Sequence, residues 1–207
     1  MKKYISPSIL LFCFIVFTIL VKFIDVQAIG PQSSLVGFAT INAAVHVFLG
    51  DHHFWYILTQ LLGVLAILVA GAFAVFGFVQ LIKRKSFLKV DRSLIVLGII
   101  YIAVIVLYVL FEKLAVNYRP VITDEGLEPS YPSTHTMLIL TIFGTARYAL
   151  KQYIKNEKLF FTLQILCLVI MILTIAGRLI SGVHWFTDII GGLLISASLI
   201  SYYSRSI

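Results

Sequence analysis

Six long apolar segments, separated by short polar or charged stretches, most limit what this chain can fold into. They cover residues 7–21, 54–82, 93–111, 135–150, 159–177 and 185–203. A helix that crosses a lipid bilayer needs about 20 mostly apolar residues, because the hydrocarbon layer is about 30 Å thick. The chain is 60% hydrophobic and only 12% charged, which excludes an ordinary soluble domain. We therefore predict an all-α polytopic membrane protein, with six transmembrane helices in a single domain over residues 1–207.

The lysines and arginines indicate how these helices are oriented in the membrane. Short cytoplasmic loops of membrane proteins are enriched in both residue types. With cytoplasmic termini, the basic residues left on the outer side are Lys22, Lys113, Arg119 and Arg178. All the others among the 16 lysines and arginines then lie on the cytoplasmic side, so we predict a cell-membrane protein with cytoplasmic termini. This distribution also explains the net charge of +7, and no nucleic-acid partner is expected.

The N-terminal segment allows a second interpretation. Lys2 and Lys3 precede an apolar stretch, and the Val-Gln-Ala sequence at residues 26–28 suits cleavage by a signal peptidase. We favour an uncleaved membrane anchor, because the apolar stretch is long for a signal peptide and an even number of helices suits the charge distribution. The later helices have the same orientation in both interpretations.

Residues that suit phosphate chemistry lie in three motifs on the outer side. The first motif is residues 113–120, the second is residues 131–135, and the third is residues 178–188. A phosphate monoester carries up to about two negative charges near neutral pH, and its transfer spreads charge over three equatorial oxygens. Cations and a hydroxyl group must therefore surround it. The predicted phosphate ligands are Lys113, Arg119, Ser133 and Arg178.

Three further residues of these motifs can carry the chemistry of phosphoryl transfer. His184 and Asp188 are four residues apart at the start of the last helix, so their side chains share one helix face. A carboxylate that accepts from one ring nitrogen leaves the lone pair of the other free to attack phosphorus and form a phosphohistidine. His135 is the candidate acid for the leaving group and then the base that activates water. No metal is required, because the cations stabilise the charge.

The three motifs resemble the signature of the type 2 phosphatidic acid phosphatase superfamily, membrane relatives of the vanadium haloperoxidases. The pattern of that superfamily reads Lys-x6-Arg-Pro, Pro-Ser-x-His and Ser-Arg-x5-His-x3-Asp, and the match runs from residue 113 to residue 188. The resemblance implies the same phosphate ligands, acid catalysis by His135, and attack by His184 oriented by Asp188. It also implies independence from metals and cofactors, and a phosphorylated lipid as substrate.

Two positions depart from the pattern of that superfamily. Five residues separate Lys113 from Arg119 where the pattern has six, so Glu112 occupies the place usual for the lysine. Gly177 stands where the pattern has a serine before the arginine, which removes a hydroxyl group but no charge.

The leading functional hypothesis is a lipid phosphatase or pyrophosphatase that acts at the outer membrane face. The resemblance suggests undecaprenyl diphosphate, phosphatidylglycerol phosphate and phosphatidic acid as substrates, and the motifs do not choose between them because they bind phosphate rather than the lipid tail. One alternative is a phosphotransferase, in which a second lipid or a sugar takes the group from His184. Another is a non-catalytic protein that binds or transports lipid phosphates. The sequence predicts no oligomeric state.

Other outer residues receive simpler interpretations. Asp124, Glu125 and Glu128 are interpreted as a solvated acidic loop. Apolar residues at helical spacing within residues 30–50 predict a short helix at the membrane surface. The histidines outside the three motifs are His46, His52 and His53. They lack the partners and spacing of a metal site, so none is predicted there.

Overall fold

Seven α-helices form the fold of the described part of the chain. The computed structural model describes residues 2–123 and 126–207, and no β-strand occurs in these ranges. The helices are α1 (Ile5–Phe23), α2 (Ala39–Leu49), α3 (His53–Arg84), α4 (Arg92–Leu114), α5 (Thr134–Tyr153), α6 (Glu157–Ile180) and α7 (Phe186–Ser206). The predicted all-α class is confirmed, and α2 is the short helix expected within residues 30–50.

Five helices of the described chain are long and apolar enough to cross a membrane, namely α1, α3, α4, α6 and α7. The predicted fourth span corresponds to α5, which has 20 residues but contains four threonines together with Arg147 and Lys151. This helix packs against α3, α4, α6 and α7, and more than half of its residues are buried. A helix shielded by its neighbours does not need a fully apolar surface. The chain is a multi-pass membrane protein, and the six-span count and the cytoplasmic termini remain predictions.

The second and third motifs meet because α5 and α7 pack closely at their N-terminal ends. A Cβ atom at Gly192 would lie 2.9 Å from Cβ of Thr136, and one at Gly191 would lie 2.6 Å from the ring of Tyr131. Only glycines allow this approach. The two chain segments are also joined directly, since the backbone N–H of Ser133 donates to the backbone carbonyl of Asp188 at 3.0 Å.

Helix α2 is attached to the start of α7 by one buried side chain. The Asn42 carboxamide accepts a hydrogen bond from the backbone N–H of Thr187 at 3.1 Å. It also donates to the Thr187 hydroxyl at 2.9 Å and to the Gly37 carbonyl at 2.8 Å. The side chain thus satisfies one of the N–H groups that a helix start leaves without a partner. This contact holds α2 beside the third motif.

Candidate active site

Three residues of the third motif form a continuous polar chain. Arg178 Nη2 lies 3.0 Å from Nε2 of His184, and Nδ1 of His184 lies 3.4 Å from Oδ2 of Asp188. A guanidinium group can only donate, so Nε2 of the imidazole accepts and its proton resides on Nδ1, facing the carboxylate. The contact between His184 and Asp188 follows from their spacing of four residues. This arrangement directs the Nε2 lone pair toward the guanidinium group that would hold a phosphate.

His184 is buried and uncharged. Only 3% of its surface is exposed. Burial holds the pKa of His184 well below its ordinary value, and the positive charges of Arg178 and Arg119 lower it further. The imidazole is therefore neutral near pH 7, which is the form that a nitrogen nucleophile requires.

Asp188 also shapes the start of α7. Its Oδ2 atom accepts a hydrogen bond of 2.9 Å from the backbone N–H of Trp185, in addition to its contact with His184. A carboxylate at this position satisfies a free N–H group of the first helical turn. The side chain is fully buried, so both bonds are made away from solvent. The carboxylate can therefore orient the imidazole from a fixed position.

Helix α3 completes the surroundings of Arg178, with residues that the sequence analysis missed. Arg178 is 1% exposed, and its Nη1 donates to the hydroxyl of Thr59 at 3.3 Å. Its guanidinium carbon lies 5.8 Å from the centre of the Tyr56 ring, within the range of a cation–π contact. Both residues lie in the second apolar segment, residues 54–82. Their polar side chains among apolar ones were the sequence signal that could have identified them.

His135 also contacts α3. Its Nε2 atom lies 2.6 Å from Oε1 of Gln60, and the imidazole is only partly buried. The structure brings His135 to the same side of the bundle as the third motif, because His135 contacts Gln60 and Arg178 contacts Thr59, which are neighbours on α3. Gln60 was not predicted from the sequence.

Ser133 caps the N-terminus of α5. Its hydroxyl oxygen accepts from the backbone N–H of Thr136 at 3.5 Å and from the Thr136 hydroxyl at 3.0 Å. Because the oxygen accepts in both contacts, its own proton remains available to a further acceptor. Ser133 is fully buried and adjoins Asp188 through the backbone. These features suit a donor to a phosphate oxygen.

Arg119 forms an ion pair that the sequence analysis did not foresee. Its Nε atom lies 3.1 Å from Oε2 of Glu128, as an ion pair without the alignment of a hydrogen bond. The hydroxyl of Thr123 donates to the same carboxylate oxygen at 2.8 Å, and the backbone N–H of Arg119 donates to the Glu128 carbonyl at 3.0 Å. The interpretation of Glu128 as a solvated loop residue was wrong, because the loop folds back onto Arg119. Asp124 and Glu125 lie outside the described residues.

The first motif is held next to the third by an indole group. Nε1 of Trp185 donates to the backbone carbonyl of Tyr118 at 2.7 Å. This bond places Arg119, the residue after Tyr118, on the side of the site where His184 lies. The positive charge of Arg119 contributes to lowering the pKa of His184, after burial and Arg178. Two arginines and two histidines from three separate motifs thus share one site at the ends of α5, α6 and α7.

Comparison with known proteins supports this reading of the motifs. Residues 111–207 match the PAP2 superfamily model. The resemblance predicted from the three motifs is confirmed, since the matched residues include all of them. No curated protein sequence matches the chain.

A solved PAP2 structure has the same fold. The crystal structure described as the first transmembrane PAP2 type phosphatidylglycerolphosphate phosphatase, from Bacillus subtilis, matches with a TM-score of 0.65 and 18% sequence identity. The match covers 99% of this chain and 94% of that chain. At this identity the similarity establishes a shared fold, and the activity of that protein is not transferred by it.

Lys113 stands apart from the other residues of the PAP2 motifs. It lies in the last turn of α4 and is exposed. Within the described chain its ammonium group forms no hydrogen bond or ion pair. The spacing of five residues instead of six before Arg119 changes the direction in which it projects from α4, by about 100° per residue. Its role in binding phosphate remains a prediction.

Gly177, the second departure from the PAP2 pattern, lies where α6 touches α3. A Cβ atom at this position would lie 2.7 Å from Cγ2 of Thr59 and 3.1 Å from Cε3 of Trp55. Thr59 cannot turn away easily, because its hydroxyl donates to backbone carbonyls of its own helix. The serine usual for the family therefore does not fit in this chain.

We expect Gly177→Ser to destabilise the protein by about 1–3 kcal/mol, the usual cost of overpacking a close contact. The displaced α6 should also carry Arg178 away from Thr59 and His184. Thermal unfolding in detergent checks the first effect. Gly71→Ser on α3 is the matched control, because a Cβ there meets no atom within 4 Å. Equal melting temperatures for the two variants would contradict the packing argument.

The turn between α2 and α3 covers the loop before α7. The Asp51 carboxylate lies directly against Gly182, which has φ +74° and leaves no room for a side chain. Nε2 of His46 is 3.7 Å from Oδ1 of Asp51, and its ring centre is 5.5 Å from that of Trp185. His46 thus packs over the third motif. In the described ranges, histidine, cysteine and acidic residues form no group of three or more that could hold a metal ion.

Proposed function

We propose that this protein is an integral-membrane lipid phosphatase or diphosphatase that works through a phosphohistidine on His184. The observation that carries the proposal is the buried chain from Arg178 through His184 to Asp188. It joins a cation for phosphate, a neutral nucleophile with a defined lone pair, and a carboxylate that can stabilise the positive charge formed on attack. A protein that only binds phosphate does not need the last two features.

In the proposed first step, phosphate is held by Arg178, Arg119 and the Ser133 hydroxyl. Nε2 of His184 forms a bond to phosphorus while the bond from phosphorus to the leaving oxygen breaks. The Nδ1 proton stays on the imidazole ring and bonds to Asp188, which stabilises the cationic phosphoimidazole. The arginines neutralise the equatorial oxygens throughout.

Proton transfer is assigned to His135. As an imidazolium it gives a proton to the leaving alkoxide or phosphate oxygen during the first step. As a neutral ring it then takes a proton from water, whose oxygen attacks phosphorus and breaks the bond to His184. Inorganic phosphate leaves, and both histidines return to their starting states. Lys113 is proposed as an additional phosphate contact.

The proposed active site faces the outer side of the cell membrane. The charge distribution supports this orientation, because most lysines and arginines lie at the opposite ends of the helices. Both termini would then be cytoplasmic. The substrate is a phosphorylated lipid that reaches the site from the outer leaflet.

Three substrates are proposed for testing: phosphatidylglycerol phosphate, phosphatidic acid and undecaprenyl diphosphate. The first has priority because the structural neighbour from Bacillus subtilis is described as a phosphatidylglycerolphosphate phosphatase. Transfer of phosphate to a second lipid remains the close alternative, since His184 can pass the group to any hydroxyl that replaces water.

We expect the purified protein to release phosphate from at least one of these lipids, at a rate that a chelator does not change. The physical reason is that two arginines, rather than a metal ion, compensate the phosphate charge. Phosphate release in detergent and in liposomes, with and without EDTA, measures both points. Loss of activity that added Mg²⁺ restores would contradict metal independence. Absence of release from all three lipids would favour the non-catalytic alternative.

A further inference from the structure

The outer end of α3 carries polar residues on one face of an otherwise apolar helix. Thr59 and Gln60 follow Tyr56 by three and four residues, so the three side chains lie on one side of the helix. Thr59 binds Arg178, whereas Gln60 contacts His135. A polar side chain in a membrane helix is costly unless it has a partner. The mechanism described above uses Arg178 and His135 but leaves Gln60 without a role.

Gln60 and the helix backbone define the position of the His135 ring. The distance from Gln60 Oε1 to His135 Nε2 is 2.6 Å. A Cβ atom at Gly63 would lie 3.1 Å from Cδ2 and 3.2 Å from Nε2 of the ring, so the imidazole packs against α3 where no side chain intervenes. The ring is thus held by a hydrogen bond at one atom and by packing along one edge.

A second hydrogen bond accompanies the orientation in which the Gln60 amide presents its oxygen to His135. Nε2 of Gln60 donates to the hydroxyl of Tyr56 at 2.9 Å. The carbonyl oxygen of Gln60 points to His135 and can only accept. It follows that Nε2 of His135 carries a proton, and that Nδ1 is the ring atom with a changing proton.

We propose that Gln60 is a positioning residue for the general acid His135, whose Nδ1 atom it makes the site of proton transfer. The inference rests on the proposed function. When the P–O bond of an alkyl phosphate breaks, the imidazolium gives its Nδ1 proton to the departing alkoxide oxygen. The ring becomes the neutral Nε2–H form, still bonded to Gln60. Nδ1 then accepts the proton of the attacking water, which restores the imidazolium.

The positive charges around His135 give the carbonyl oxygen of Gln60 a second role. Burial of the ring and the positive charges of Arg178 on α6 and Arg119 before α5 all disfavour the imidazolium that acid catalysis needs. The Gln60 carbonyl oxygen is the acceptor on the α3 side, and it binds the charged ring more strongly than the neutral one. A bound phosphate dianion then supplies the remaining compensation.

The leaving group provides a readout that a merely structural role would not affect. An alkoxide needs a proton as it departs, whereas p-nitrophenolate leaves without one. We expect Gln60→Met, which keeps the length of the side chain but removes the acceptor, to slow single-turnover release from phosphatidic acid or phosphatidylglycerol phosphate about 10- to 100-fold. The burst of p-nitrophenol from p-nitrophenyl phosphate, which reports formation of the phosphohistidine, should change less than about threefold.

Two further variants keep the test decisive. Gln60→Glu retains an oxygen acceptor and should restore most of the lipid rate, even if Gln60→Met folds poorly. Gln164→Met is the matched control, because Gln164 lies in α6, exchanges hydrogen bonds of 2.8 Å with Arg147, and is remote from the site. Gln164→Met should leave the reaction rates with both substrates unchanged. The double variant of Gln60→Met with His135→Ala should be no slower than His135→Ala alone.

The outcomes separate this inference from the proposed function. If wild-type protein hydrolyses lipid and Gln60→Met slows the reactions of both substrates equally, or the reaction of neither, the positioning role is wrong. A double variant that is much slower than His135→Ala would also overturn it, because Gln60 would then act independently of His135. If the wild-type protein releases phosphate from no substrate, the proposed function itself fails.

Discussion

Replacement of His184 by alanine is expected to reduce phosphate release from the preferred lipid by at least about 10⁴-fold. Alanine removes the atom that would bond to phosphorus, and no other described imidazole lies within hydrogen-bond distance of both Arg178 and Asp188. Arg178 and Arg119 remain, so binding of inorganic phosphate should persist. The experiment therefore separates loss of catalysis from loss of phosphate binding.

The direct measurement is covalent trapping with a ³²P-labelled lipid. Wild-type protein quenched during turnover should carry label that is lost in acid and stable in base, as expected of a phosphohistidine, and His184→Ala should carry none. His52→Ala is the matched control, because His52 is an exposed histidine between α2 and α3 whose ring bonds only to the Leu49 carbonyl. Label on another residue, or full activity of His184→Ala, would rule out this nucleophile.

The affinity for inorganic phosphate adds a test of the binding groups. Inorganic phosphate should inhibit wild-type protein competitively and should still bind His184→Ala with an affinity within about tenfold, because both arginines are unchanged. Removal of Arg178 should weaken this binding far more, since its guanidinium is 1% exposed and directed at His184. Similar phosphate affinities for wild type and an Arg178→Leu variant would contradict the assignment of this cation.

Contacts within one helical turn were predictable from the sequence. The pairing of His184 with Asp188 follows from a spacing of four residues, and helix geometry is nearly independent of the rest of the chain. The Arg178 contact required only that the short loop between α6 and α7 turn back on itself. The family resemblance then predicted that the first two motifs lie at the same site as the third.

Contacts between distant helices were not predictable in the same way. Gln60 and His135 are separated by 75 residues, and nothing in an apolar segment indicates which helix it will face. Gly177 illustrates the same limit, because its departure from the pattern is explained only by the nearness of Thr59. Glu128 looked solvated since loop residues usually are, yet the folded loop pairs it with Arg119.

The hydropathy of α5 shows a third kind of limit. Every long apolar segment was predicted to be a transmembrane helix, and five helices of the described chain are long and apolar enough to cross a membrane. The helix that carries His135 is more polar because its neighbours cover it. A central helix that holds a candidate active-site residue is therefore the one that composition describes least well.

Asp188→Asn is expected to lower the rate by about 10³- to 10⁴-fold, the size of effect seen when the orienting carboxylate of a catalytic histidine becomes an amide. Oδ2 of Asp188 now accepts from both Trp185 N–H and His184 Nδ1–H. Because both bonds end on the same atom, an asparagine oxygen in that place keeps both but lacks the negative charge that stabilises the phosphoimidazole, whereas an NH₂ group in that place opposes both N–H donors. With the NH₂ group there, the imidazole proton would move to Nε2, where it opposes the donors of Arg178 and removes the lone pair that attacks phosphorus.

The same substitution at another helix start tests whether this loss is specific. Asp91 precedes α4 and accepts hydrogen bonds from Arg84 at 2.7 Å, Gln80 at 2.7 Å and Tyr153 at 3.0 Å. Asp91→Asn should lower thermal stability but retain the rate per folded molecule, since it does not touch the imidazoles. For Asp188→Asn, inorganic phosphate should still bind while ³²P labelling of His184 becomes slow. A rate within tenfold of wild type would mean that the carboxylate does not select the tautomer, and that Arg178 alone orients the nucleophile.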